Sequence, residues 1–78
     1  MPTQQEIEEE QRKIRRLRTI VDLTTAILQQ GNYSAAEAQA LVAATKKSVV
    51  QLFPGAEEPF DLIYKPRFER IIKERIYA

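Results

Sequence analysis

Gln29 to Val42 reads QQGNYSAAEAQALV, and the fold turns on how this stretch bends. Upstream, from about Thr3 to Gln30, no glycine or proline interrupts the chain. Gly31 then supplies the one residue type that enters the left-handed region without a steric penalty, a common way for a helix to end. Ser34 follows, with Glu37 three residues after it. At that spacing the serine hydroxyl accepts from the Glu37 amide while the carboxylate reaches back to the serine amide, so two orphan donors of a new helix are satisfied reciprocally. One helix ends and another starts within three or so residues, and so short a connection forces the pair to run antiparallel.

Working outward, the upstream run carries Ile7, Ile14, Val21 and Leu28 seven residues apart. Leu17 and Thr24 take the second seam position, and Ile20 and Ile27 widen the stripe. A helix of this span is a rod of about 40 Å. Between Thr3 and Ile14 only Ile7 is apolar. The rod is therefore expected to be buried from about Ile14 onward, with residues 1–12 projecting or frayed. Downstream of Ser34 the buried stripe is Ala38, Leu41, Val42, Thr45, Val49, Leu52 and Phe53, with small alanines that admit a neighbouring helix closely, and Pro54-Gly55 ends it.

The tail keeps one helical phase through Phe60, Ile63, Tyr64, Phe68, Ile71, Ile72 and Ile76. Pro66 has no amide hydrogen and disfavours helix at Lys65. The expectation is a turn or one-turn helix near 60–64 and then a third helix opened by Pro66 at its first position, with a single kinked helix as the alternative. The fold class is all-α: an antiparallel helical hairpin, its first helix long, with a third C-terminal helix packed across it as one domain over residues 1–78. The expected core is Leu17, Ile20, Val21, Ile27, Leu28, Leu41, Val42, Val49, Leu52, Phe53, Phe60, Ile63, Phe68, Ile71 and Ile72.

Composition narrows the function classes. A chain of 78 residues buries only about 60–65% of the surface its unfolded form exposes. Small proteins often add disulfides, a metal or a second subunit. Cysteine and histidine are both absent, which removes disulfides, the commonest metal ligands and the usual general base. Self-association is the staple that remains. The net charge is +1, so no strong field points to nucleic acid or an anionic membrane. No apolar run approaches the roughly 20 residues that span a bilayer. MPTQQEIEEE lacks the basic flank and apolar segment of a secretory signal, so a soluble, cytoplasmic protein is expected, and the Asn32-Tyr33-Ser34 sequon is then accidental.

Chemistry-bearing constellations are few. EIEEEQRKIRRLR, Glu6 to Arg18, places four acids ahead of five bases. On a helix Glu8 can meet Arg12, Glu9 can meet Lys13 and Arg18 can reach Asp22, each pair contributing about 0.2–0.5 kcal/mol. Arg15 and Arg16 are left without an obvious acidic partner. In the tail, Glu69 is spaced to pair with Lys73 and Arg70 with Glu74, which dilutes any basic face. GAEEPFD sets Glu57, Glu58 and Asp61 in an expected loop, without the ligand spacing of a calcium site. Ser34 is taken up as a cap, Ser48 has no base in reach, and no glycine-rich phosphate loop exists. The chain is expected not to be an enzyme and to hold no cofactor, metal or small-molecule substrate. The functional expectation is a helical protein–protein interaction or regulatory module, self-associating or meeting a protein partner through Ile7, Ile14, Arg15, Arg16, Arg18, Arg67 and Arg70. The alternative is a small nucleic-acid-binding protein that uses the basic residues of the first and third helices.

Overall fold

A computed structural model describes residues 1–77. The first helix, α1, spans Gln4–Gln30, and it is helical from its first turn rather than frayed. Its start is fixed by Thr3, whose Oγ1 accepts from the Glu6 amide at 3.1 Å, satisfying one of the free donors of a helix N-terminus. Gly31, at φ +75°, closes the other end. A carbonyl left over in the last turn, that of Leu28, receives the hydroxyl of Tyr33 from the connecting segment. The second helix, α2, spans Ala35–Leu52 and opens with the full capping box: Ser34 Oγ accepts from the Glu37 amide at 3.1 Å and Glu37 Oε1 from the Ser34 amide at 2.9 Å. Hydrogen bonding of the carboxylate to the Ser34 amide first, and then to the Ser34 hydroxyl, holds the Glu37 carboxyl below its ordinary value.

Pro54 pushes the residue before it out of the helical region, and Phe53 leaves α2 at φ −130°, ψ 86°. Gly55, at φ +92°, completes the turn. The third helix, α3, spans Glu57–Ile72 and widens into a π-helical turn over Lys73–Tyr77. It runs without interruption through Pro66. The expected division into a short turn and a helix opened by Pro66 is thus overturned, and the single-helix alternative holds. The reason lies in which way the proline faces. Pro66 and Leu62, whose carbonyl loses its donor, both lie on the exposed side of α3, where that carbonyl can be hydrated. An interior proline costs about 3 kcal/mol. On the opposite side Phe60, Phe68 and Ile72 are buried, and each such side chain contributes about 1.5–3 kcal/mol. The core face outweighs the break.

The helices run up, down and up. Cβ of Arg75, in the π-helical turn that continues α3, lies 3.8 Å from the position a Cβ on Gly31 would take, while Pro59 and Phe60, near the start of α3, line one groove with Ile14 and Leu17 of α1. So α3 is parallel to α1 and antiparallel to α2, and each helix packs on both others. The core is Leu28, Ala38, Val42, Val49, Phe60, Phe68 and Ile72, with Leu17, Ile20, Val21, Leu41 and Ile71 among the partly buried residues packed on it. Phe60, Tyr64 and Phe68 form a ring series, with centroids 5.8 Å apart for the first pair and 6.4 Å for the second. Ile63 departs from expectation: it is 48% exposed, because it sits to one side of that line. Ile14, also expected at the buried boundary, is 45% exposed, and burial on α1 starts at Leu17 instead.

Two polar groups sit inside the α1–α2 seam. Thr24 and Thr45 are each about 4% exposed, and their Oγ1 atoms lie 2.8 Å apart. Each hydroxyl also lies 2.9 Å from the carbonyl four residues behind it, Ile20 for Thr24 and Leu41 for Thr45. Two protons serve three contacts. One hydroxyl therefore donates across the seam while the other donates to its own helix.

Candidate interaction surface

The bundle is 50 Å long but only 21 by 15 Å in its other dimensions, because α1 outruns its partners. Every residue from Met1 to Arg16 is exposed. Gln4–Arg16 is therefore a free-standing arm, about 20 Å of helix. It stands on the same rod as the bundle half of α1, with no glycine or proline between them.

At the root of the arm the bundle opens into an apolar groove of about 300 Å³. Val49 and Phe60, both buried, form its floor, while Phe53 and Tyr64 supply the walls. Ile14 from the arm, expected as a contact residue, and Ile63 from α3, expected in the core but 48% exposed, form its lip. Ile14 lies past the end of α2 at Leu52, whereas Ile63 lies alongside α2, two residues beyond the Asp61 that pairs with Lys46, and is exposed because it sits beside the buried aromatic line. Arg67 lies over the Tyr64 ring at 6.0 Å from its centroid, within the range of a cation–π contact.

The seven residues expected to meet a partner are distributed unevenly. Ile7, 39% exposed, and Ile14 share one side of the arm. Arg15 lies beside Ile14 and Gln11. Arg16 and Arg18 are exposed on α1. Arg67 reaches the groove wall through Tyr64, whereas Arg70 lines a different recess of about 440 Å³ with Gln39, Pro66, Glu69, Ile72 and Lys73. Of the seven, Ile14 alone lines the groove, Arg67 lies over its Tyr64 wall, and Arg70 is outside it.

The charges behave differently from the spacing rules. Among the described residues the one ion pair closer than 4.0 Å is Lys46 Nζ to Asp61 Oδ2, at 2.9 Å. It joins α2 to α3 across the bundle, a pairing that sequence proximity does not suggest. None of the expected pairs on α1 or between Glu69 and Lys73 or Arg70 and Glu74 is closed, which corrects the picture of a helix neutralising its own charges. Pairs of this kind gain little in water and restrict two long side chains. Glu57, Glu58 and Asp61 fall in the first turns of α3, not in a loop. Glu57 and Glu58 there complement the helix dipole, and Asp61 takes Lys46 as its partner. No group of three acids converges on a metal-sized site among the described residues, and no helix there is long and apolar enough to cross a membrane.

Comparison with protein-family models, curated protein sequences and solved structures finds no significant match to this chain.

Proposed function

We propose that this chain is a small non-catalytic helical module that works by protein–protein contact, associating with itself through the arm and the groove at its root. The observation that carries this reading is that exposed Ile7 and Ile14 lie in line on the arm and that Ile14 meets the apolar groove whose lip it shares with Ile63. A soluble monomer gains nothing from a helix that extends four turns beyond its own core, whereas a projecting amphipathic helix is a recurrent means of pairing with another helix. Absence of histidine and cysteine favours contact over catalysis in the same reading, since the two commonest catalytic side chains for proton transfer and nucleophilic attack are missing.

Sedimentation equilibrium over a concentration series tests it. Association raises the mean mass from 9.0 kDa toward an integral multiple, while a mass fixed at the monomer value up to the solubility limit refutes it. The competing proposal is nucleic-acid binding through Arg15, Arg16, Arg18, Arg67 and Arg70. Titration of labelled duplex and single strands at two salt concentrations separates the two. Affinity that falls steeply with salt supports the competitor, and absence of binding at low salt removes it.

A further inference from the structure

The arm carries two triplets of the same shape and opposite charge: Glu6-Ile7-Glu8 and, one heptad later, Lys13-Ile14-Arg15. Seven residues are nearly two full helical turns, so Ile7 and Ile14 lie almost in line, Glu6 and Lys13 flank that line on one side, and Glu8 and Arg15 flank it on the other. Within one helix the triplets are about 10 Å apart and cannot neutralise each other. All six residues are exposed, and none is in an ion pair within 4.0 Å among the described residues.

Resting on the self-association proposed above, we infer that the occupant of the arm's apolar side is the arm of a second copy, running antiparallel about a two-fold axis that crosses between Glu10 and Gln11. In that arrangement Ile7 meets Ile14 of the second copy, and Ile14 meets its Ile7. In antiparallel helix pairs like flanks face each other, so Glu6 meets Lys13 on one side and Glu8 meets Arg15 on the other, and the two-fold repeats both pairs. A parallel pairing in register instead stacks acid on acid at one triplet and base on base at the other, which is destabilising. The charge order that is unexplained within one chain is self-complementary across an isologous interface.

Length supports the same geometry. Two bare helices of this size are marginal in water, so the arm needs more than its own seam. In the antiparallel register the second copy's Gln4 comes level with Leu17, and its first residues cover the mouth of the groove at Ile14. Each copy's groove is closed by the other's N-terminal turn.

The chain has no cysteine, so single-cysteine variants of the full chain report the arrangement directly. Gln11→Cys and Gln4→Cys are both on the exposed arm, where neither substitution disturbs the core. About the proposed axis, the two copies of residue 11 are neighbours, while the two copies of residue 4 are about 20 Å apart along the helices. Under mild oxidation Gln11→Cys gives a covalent dimer and Gln4→Cys does not. Cross-linking by both variants means parallel arms and overturns the inference while leaving self-association standing. Cross-linking by neither, in samples that sedimentation shows to be dimeric, means the arms do not meet and also overturns it. A monomeric mass throughout removes the self-association itself. As an independent readout, the Lys13→Glu/Arg15→Glu double variant, which makes both triplets acidic, should weaken dimerisation at least tenfold; an unchanged dimer constant overturns the charge pairing.

Discussion

Substituting the buried threonines singly and together gives a result that only a shared hydrogen bond across the seam predicts. Thr24 and Thr45 are each about 4% exposed, and their hydroxyl oxygens are 2.8 Å apart. Valine keeps the branched shape and replaces the hydroxyl with a methyl group. In Thr24→Val, Thr45 turns its proton to the Leu41 carbonyl 2.9 Å away, and one hydrogen bond between helices is lost, worth about 1 kcal/mol net. Thr45→Val is the mirror case, with Thr24 falling back on Ile20. In the double variant the remaining hydroxyl's bond to its own helix is lost as well, but the cost of burying that hydroxyl goes with it and the two roughly cancel, and there is no further cross-seam bond to lose. The double change therefore costs about as much as either single one, and the coupling energy is about 1 kcal/mol. For a domain of this size each single variant should melt about 4–8 °C lower. Urea unfolding followed by far-ultraviolet circular dichroism, with all four proteins at one concentration so that association shifts them equally, measures the cycle. Effects that add to within about 0.3–0.5 kcal/mol would show that the two hydroxyls act independently, and the proton count given for the seam would be wrong.

Pro66→Ala should stabilise the chain by about 2 kcal/mol, since the interior penalty of about 3 kcal/mol is relieved and roughly 0.4–1 kcal/mol is returned through a more flexible unfolded state; a lowered denaturation midpoint would contradict an uninterrupted α3. Gly31→Ala should cost about 1 kcal/mol because of the positive φ alone, since the nearest Arg75 atoms at 3.8 Å leave room for a methyl group; Gly31→Asn should cost less, because asparagine tolerates this region, and equal losses would point to packing instead. The Glu37 carboxyl is held below its ordinary value by the Ser34 amide and hydroxyl, so its contribution is complete above the ordinary carboxylate range and is lost as pH falls through the lowered value. In Glu37→Gln that part of the acid sensitivity should vanish from melting curves taken between neutral and acidic pH, and an unchanged acid slope would remove the capping box as its source.

The hairpin was legible because its signals are local: Gly31, the Ser34–Glu37 spacing and Pro54 each act on the backbone within a turn of themselves. Local rules misled at Pro66, where the preference of Lys65 lost to three apolar side chains buried from the other side of the same helix. The groove could not be read from spacing alone. Ile14 and Ile63 fit the apolar periodicity of their own helices, and only the packing of the three helices shows that α2 stops short of Ile14 and that Ile63 falls beside the buried aromatic line. Lys46 and Asp61 lie on different helices, and the Tyr33 hydroxyl reaches backward to Leu28 from a segment with no regular period. The threonine pair was visible as two seam positions, but that one meets the other depends on the register of α1 against α2. Among the candidate contact residues, helical phase alone places Ile7 and Ile14 on one side of the arm; the expected salt bridges are not closed, because spacing permits a pair without making it favourable in water.

Because α1 is anchored only along its C-terminal half, the chain can unwind from its free end without loosening the three-helix body. Whatever orders or weakens those leading turns acts on the proposed contact alone, while the melting of the body stays nearly the same. Under the self-association proposed above, selection acting on residues 4–16 adjusts how tightly two copies hold each other as a separate setting from how firmly each stays folded.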